Sequence, residues 1–306
     1  MRLTALLLAA ATAALLSGCS GPKETGPLGS KENPIQMAFV PSLETGQITV
    51  SANALADALE ESTGYTINVT VPVSYAAVIE AMKAGRAHVA WYAPLSYVLA
   101  HSEANAEVLL ISERDGEIDY FGAIVVRKDS GITSLDQLKG KKFAFVDPMS
   151  TSGTLYPKDL LINNGINPET DLQSIYAGGH DKALIALYNR QVDGASCYAG
   201  HLSDARDRVE ATIPDIFDKT TVLAKTAPIP NDNVSVRSDL PEDMKEKLKA
   251  ALLEISGSEE GRQLLMDVAQ ISGLRPVEDS VYDTVRDMAR TLGLNIKETV
   301  QQDKPK

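Results

Sequence analysis

The sequence predicts an α/β protein of two lobes, each a mostly parallel sheet flanked by helices, with the chain crossing twice between them. Three observations predict it. From Pro34 onward, short apolar β-branched runs alternate with segments of helical spacing, the rhythm of βαβ units. One strong strand pattern, Phe121 to Arg127, interrupts that rhythm, which then restarts. After a strand at Asn233 to Arg237 the chain carries only helical patterns, too long a tail to belong to nothing.

Element by element, the first unit reads as a strand at Ile35 to Val40 and a helix at Val50 to Glu61 that stops before Gly64. A strand follows at Tyr65 to Val71, then a helix at Tyr75 to Lys83 ending at Gly85. A strand at His88 to Trp91, a helix at Leu95 to Ala100 and a strand at Ala106 to Ile111 complete it. In the second unit, Ser134 to Leu138 is a short helix, Lys142 to Val146 a strand, and Gly153 to Asn163 a helix closed by Gly165. Ser174 to Tyr176, Val192 to Cys197 and Thr220 to Ala224 read as strands, with helices at Asp181 to Asn189 and Leu202 to Val209. The tail reads as helices at Pro241 to Ser256, Glu259 to Ala269 and Ser280 to Leu292. The natural closure returns the chain to the first unit near residue 233, with crossings around 121–127 and 230–236 and a ligand cleft at the hinge.

The beginning of the chain reads as an address. Met1-Arg2 is a short positive region, and Leu3 to Leu16 is an apolar run too short to span a bilayer comfortably. It ends in Leu16-Ser17-Gly18-Cys19, which resembles a bacterial lipobox, so Cys19 is the expected lipidation site. Ser20 to Asn33, rich in Gly, Pro, Ser and charge, reads as a flexible tether. The expected organisation is a signal peptide at 1–19, a tether at 20–33, lobe one at 34–122 and 233–295, lobe two at 123–232, and a polar tail at 296–306. The membrane would be reached only through that anchor.

Of the 306 residues 44% are hydrophobic, enough for one large domain or two medium ones. The net charge of -12 argues against nucleic acid and anionic membrane surfaces as partners. It leaves open an anionic ligand held by backbone N–H groups. The cysteines, Cys19 and Cys197, stand in unrelated contexts, so a disulfide is not expected; Cys197 reads as a small core residue. No metal-binding spacing and no cofactor motif appears.

The most informative segment is Asp147-Pro148-Met149-Ser150-Thr151-Ser152-Gly153, between a strand end and a helix start. Any one of these hydroxyls could serve as a helix cap. Three in a row, with a glycine admitting close backbone approach, also form a donor set at a helix amino end, which suits a tetrahedral oxyanion. His180, in Ala177-Gly178-Gly179-His180-Asp181, starts the next helix and is either a cap-region histidine or a donor to the same anion. Tyr75 and Tyr120 precede a helix and the first crossing strand; each is either a half-buried core residue or a cleft hydroxyl. Trp91 and Tyr97 lie nearby, with core packing the expectation for Trp91. Asp232 lies at the second crossing and is either a solvent-exposed carboxylate or a cleft residue, where facing an anion needs a shared proton or a ligand O–H.

At these residues the chain resembles the phosphate/phosphite/phosphonate-binding proteins of ABC importers, the PhnD-like family. The resemblance rests on Ser74-Tyr75-Ala76-Ala77-Val78-Ile79-Glu80, Val89-Ala90-Trp91-Tyr92, the Asp147–Gly153 and Ala177–Asp181 segments, Gln191-Val192-Asp193 and Ile229-Pro230-Asn231-Asp232, in family order over roughly residues 35 to 275. It implies a type II periplasmic-binding-protein fold that closes around its ligand, and no enzyme activity. It further implies a phosphorus oxyanion held by Ser150, Thr151, Ser152 and His180, with Tyr75, Tyr120 and Asp232 lining the same cleft. The implied partner is a membrane permease with a cytoplasmic ATPase, and the protein is expected to be an extracytoplasmic monomer. Members taking an amino-substituted phosphonate would be expected to carry an acidic residue near Gly200; Gly200-His201 departs from that, so phosphite, methylphosphonate-like ligands and phosphate stand level with it as expected ligands. Three rival readings are a hydrolase, against which the missing GxSxG elbow speaks, a carrier of another solute such as a sulfonate or thiamine-like precursor on the same fold, and a ligand-sensing lipoprotein.

Overall fold

The computed structural model describes residues 26–293 apart from residue 203; the signal segment, Cys19 and the 296–306 tail lie outside the described residues. The first lobe opens with β1 (Ile35–Phe39), α1 (Thr45–Thr63), β2 (Ile67–Thr70), α2 (Tyr75–Lys83), β3 (Val89–Tyr92), α3 (Pro94–Ala104) and β4 (Ala106–Glu113). The second lobe is one continuous stretch. It comprises β5 (Asp119–Arg127), β6 (Lys142–Phe145), α4 (Tyr156–Asn163), β7 (Gln173–Tyr176), α5 (His180–Tyr188), β8 (Gly194–Ala199), α6 (Ala205–Glu210), α7 (Ile216–Lys219), β9 (Thr220–Lys225) and β10 (Ile229–Pro230). The chain then returns to the first lobe through β11 (Asn233–Arg237), α8 (Glu242–Gly257), α9 (Glu259–Ala269), β12 (Gly273–Pro276) and α10 (Asp283–Thr291).

The sheets are mixed, which corrects the expectation of mostly parallel ones. In the first, ordered β12-β4-β11-β3-β1-β2, β1 pairs in parallel with β2 and β3, while β11 runs antiparallel between β3 and β4. In the second, β6 pairs in parallel with β7 and β8, while β5 runs antiparallel to β8, β9 and β10. The reason is directional. A strand arriving from the other lobe enters at the cleft, where the parallel strands end, and must run against them. β5 and β11 are those strands. The expectation that only helices follow residue 237 is also corrected, because β12 pairs with β4 at the sheet edge. Its four residues Gly-Leu-Arg-Pro are too short to show alternation, and the proline sits where an edge strand tolerates it.

The first-lobe strands β1 and β3 split their side chains by the two-residue period. Ile35, Met37 and Phe39 face a core shared with α1, α8 and α9, and Ala38 faces the opposite core under α2, α3 and α10. In α1 the buried Ile48, Ala52, Leu55, Ala56 and Leu59 form one stripe, and the helix stops at Gly64 in the left-handed conformation (φ 71°). The second lobe has its own two cores, one around Leu184, Leu187 and Cys197 and one around Phe143, Phe145 and Leu161. Residues 26–33 depart from the flexible tether expected there. Thr66 N donates to Gly29 O at 2.8 Å, Gly29 N to Asn33 O at 2.8 Å, and Leu28 packs on the first core.

Candidate functional site

The carboxyl ends of the parallel strands of both lobes face each other across a cleft of about 520 Å³, part of it open to solvent. From the second lobe, the turn after β6 enters it. Asp147 Oδ1 accepts from Met149 N at 2.8 Å, which shapes the turn, and Ser150 Oγ accepts from Gly153 N at 3.2 Å, which caps the helical segment. That segment begins as a π turn over Thr151–Leu155, with Leu155 N donating to Ser150 O at 3.1 Å, before α4 takes over. The wide first turn lets Gly153 O accept from Val146 N at 3.2 Å and from Ser196 Oγ at 2.5 Å. Gly153 is required here, because a Cβ would lie 2.3 Å from Val146 Cγ2. Gly122 of β5 is required on the other side, where a Cβ would stand 2.7 Å from Ser152 O.

His180 opens α5 beside this turn. Its Nδ1 accepts from Tyr198 N at 3.1 Å, and its ring stands edge-on to that of Tyr198. A backbone N–H can only donate, so the neutral ring carries its proton on Nε2, which leaves Nε2–H as the donor for the cleft. Burial, reinforced by the Arg114 cation, pushes the imidazole pKa down to about 3, so His180 is neutral at ordinary pH.

Tyr75, the first residue of α2, and Tyr120, in β5, bring hydroxyls from opposite sides. Burial, with Asp147 and Asp232 adding to it, holds the Tyr75 phenol well above its ordinary range, and Ser150 bonds to it. Burial and then Asp232 do the same to Tyr120, which Ser152 bonds. Both phenols therefore keep their protons and remain donors.

The cleft's formal charges are one guanidinium and one carboxylate. Arg114 Nη2 donates to Asp232 Oδ2 at 2.7 Å and to Ala269 O at 3.1 Å, and Nη1 donates to Asn231 Oδ1 at 3.1 Å. Burial works against the Arg114 charge, but the Asp232 carboxylate outweighs it and holds the pKa above normal. Around this pair lie helix amino ends. Tyr75 of α2, Ala93 at the start of α3, Ser150 at the π turn and His180 of α5 all line the cleft. The surface is thus rich in N–H and O–H donors and close to neutral overall, a setting in which dipoles can meet an anion.

Of the residues singled out in the sequence, the structure brings Tyr75, Tyr120, Ser150, Ser152, His180 and Asp232 to this one cleft. It does not bring Thr151 there. That side chain is fully buried, and its Oγ1 accepts from Leu95 N at 2.8 Å, so it caps α3 in the opposite lobe. Further contacts join the lobes. Ser96 Oγ donates to Met149 O at 3.2 Å, His180 N to Ser42 O at 3.0 Å, and Tyr198 Oη to Gln270 Oε1 at 2.6 Å. Trp91 stacks on Phe39 with ring centroids 5.5 Å apart, and Tyr97 donates to Asp279 away from the cleft. Gly200 and His201 do not line the cleft; His201 Nε2 lies 2.7 Å from Asp119 Oδ1.

Arg114, Tyr198 and Ser42 line the cleft without having been marked in the sequence. Arg114 sits in a charged run that reads as a solvated turn. The signal was Asp115-Gly116, whose positive φ values (55° and 83°) make the two-residue reversal that sends β4 into β5. The first crossing therefore lies at residues 114–118, ahead of the expected 121–127, because Asp119 and Tyr120 already pair with β10.

A profile described as the periplasmic substrate-binding protein of phosphonate ABC transporters matches residues 37–282. The phosphate-import protein PhnD of Mycolicibacterium smegmatis is 30% identical over 93% of this chain and 94% of its own. Two solved structures share the fold. One is a binding protein component of a phosphonate ABC transporter from Pseudomonas aeruginosa (TM-score 0.77, 22% identity, 91% of this chain and 90% of that one). The other is PhnD1 of Prochlorococcus marinus in complex with methylphosphonate (TM-score 0.75, 18% identity, 85% and 98%). Such proteins bind and carry rather than catalyse, and they work outside the cytoplasm. With a family profile spanning most of the chain, this protein belongs to the periplasmic substrate-binding proteins of phosphonate ABC transporters.

Proposed function

We propose that the cleft captures a phosphorus oxyanion (phosphonate, phosphite or phosphate) and delivers it to a membrane permease from an anchor at Cys19. The observation that carries this reading is the donor set. The hydroxyls of Ser150, Ser152, Tyr75 and Tyr120 and the Nε2–H of His180 surround a cleft whose two formal charges neutralise each other. An anion there is met by directed dipoles and one guanidinium, with no excess cation to hold any anion indiscriminately. Asp232 Oδ2 is taken by Arg114, which leaves Oδ1 to accept from a protonated ligand oxygen. Phosphorus oxyanions offer that P–OH near neutral pH and sulfate does not. The methylphosphonate complex of the Prochlorococcus relative and the phosphate-import role of the mycobacterial one support the ligand class.

The test is calorimetric titration of the full chain, purified in detergent and stripped of carried-over ligand by unfolding and refolding. Phosphite, methylphosphonate, 2-aminoethylphosphonate, phosphate and sulfate are compared. At least one phosphorus oxyanion should bind tightly and sulfate should not. Ser152→Ala should lose roughly 1–3 kcal/mol, the scale of a hydrogen bond to a charged group. Unchanged affinity in that variant would sink the site, and silence from every phosphorus ligand would sink the ligand class. Loss of radiolabelled palmitate from a Cys19→Ser variant tests the anchor, and retained label would refute it.

A further inference from the structure

We propose that the cleft continues into a side chamber of the first lobe that receives the organic substituent of a phosphonate. The preferred ligand is then an alkylphosphonate with a short uncharged chain rather than bare phosphate or phosphite. The inference rests on the reading above that the cleft holds the phosphorus oxygens.

The chamber is an open hollow of about 370 Å³, a figure that includes solvent at its mouth, and it shares Val40, Ser42, Asp232 and Ala269 with the anion cleft. The two hollows therefore adjoin along these four residues. Its far walls are the stacked rings of Phe39 and Trp91, at the ends of β1 and β3, together with Ile48, Val268 and Ile271. These side chains are at most 5% exposed and belong to the core between the first sheet and helices α1 and α9. Cores normally close-pack. A gap in this one, opening onto the binding cleft, leaves apolar groups lacking neighbours that a substituent would supply. Among the described residues the indole Nε1–H of Trp91 is buried with no hydrogen-bond partner, and an uncharged oxygen on the chain would answer it. Among the described residues Asp232 is the only charged side chain on the chamber, and Arg114 already pairs with it through Oδ2. The walls therefore offer an ammonium or a carboxylate no counter-charge of its own, which limits the substituent to an uncharged one.

Trp91 is the only tryptophan of the chain, so tryptophan emission reports on the chamber wall. The ligand-stripped full chain is titrated with phosphate, methylphosphonate and n-propylphosphonate. Each buried methylene should tighten binding about fourfold, so n-propylphosphonate, with two more, should bind roughly fifteenfold tighter than methylphosphonate. A bound 3-bromopropylphosphonate should quench Trp91 emission by heavy-atom contact where n-propylphosphonate does not, and excess phosphate should restore it. Ile271→Phe should remove the advantage of the propyl chain and leave methylphosphonate unchanged. If that variant does not fold, quenching in the unaltered chain decides. Methylphosphonate binding with no gain for the propyl chain, or a bound bromo ligand that leaves emission at the n-propyl level, would overturn the chamber alone. No binding of any phosphorus ligand would overturn the proposed function and the chamber together.

Discussion

Thr151 Oγ1 accepts the backbone N–H of Leu95 at 2.8 Å, and the two residues belong to different lobes. Leu95 lies in the first turn of α3, whose own N-cap, Ala93, has no side chain able to cap it. The second lobe supplies the missing cap, so the bond exists only when the lobes meet. A helix cap contributes about 1 kcal/mol. Thr151→Val should therefore lower ligand affinity about fivefold through the closure equilibrium, and Thr151→Ser should restore it. Calorimetry gives the affinity, and small-angle scattering should show more of the ligand-free variant open. Equal affinities in Thr151→Val and the parent would remove Thr151 from closure.

Arg114 ties Asn231, Asp232 and the end of α9 together where the chain passes between lobes. Arg114→Lys keeps the charge but cannot hold the planar fork. It should weaken anion binding by roughly 1–3 kcal/mol, the range for bonds to charged groups. Asp232→Asn should leave an uncompensated guanidinium, relax the discrimination against sulfate, and make binding more sensitive to salt. Titrations at two salt concentrations test both.

His180 predicts an acid limit. The ring is neutral in the fold with a pKa lowered to about 3, against an ordinary value near 6.5. Below that ordinary value the unfolded chain takes a proton that the folded chain refuses. The contribution is fully present above about pH 6.5, falls by about 1.4 kcal/mol per pH unit below it, and is fully lost below about pH 3. Chemical denaturation at successive pH values should show a shallower slope in His180→Gln across that window. An identical slope would mean that His180 protonates freely in the fold.

Gly153→Ala places a Cβ 2.3 Å from Val146 and 2.9 Å from the Ser150 hydroxyl. Overpacking of this kind typically destabilises by about 1–3 kcal/mol. The melting temperature should drop, and binding should fall further than the stability loss accounts for, because Ser150 must move with the turn.

The fold was legible in the sequence wherever a pattern was local. The stripe along α1, the β-branched run at β5 and the glycine that ends α1 are period and turn signals; they marked the ends of those elements closely, while α1 starts at Thr45 and β5 at Asp119, ahead of the expected Val50 and Phe121. Sheet direction was not local. Whether β11 runs with or against β3 depends on which end of the lobe the chain enters, and no residue of Asn233–Arg237 encodes that alone. The site divides the same way. Ser150, Ser152 and His180 stand at strand-to-helix junctions, which the sequence marks with hydroxyls and glycines. Thr151 stands at the same junction but points to the other lobe, and alternation along a π turn cannot be foreseen from residue type. Arg114 was hidden among charged neighbours, and only its partners far along the chain, Asn231, Asp232 and Ala269, distinguish it from a solvated arginine.

The insertion of β11 between β3 and β4 also sets an order of assembly. The first lobe's sheet has a vacant central position until residue 233 has been made, whereas the second lobe, one continuous segment, needs nothing that comes later. Contacts this distant along the chain form slowly. In pulse-labelled hydrogen exchange, amides of β5, β6 and β8 should gain protection before those of β3 and β4. A chain whose amino-terminal third stays unfinished until its last third arrives remains threadable for longer.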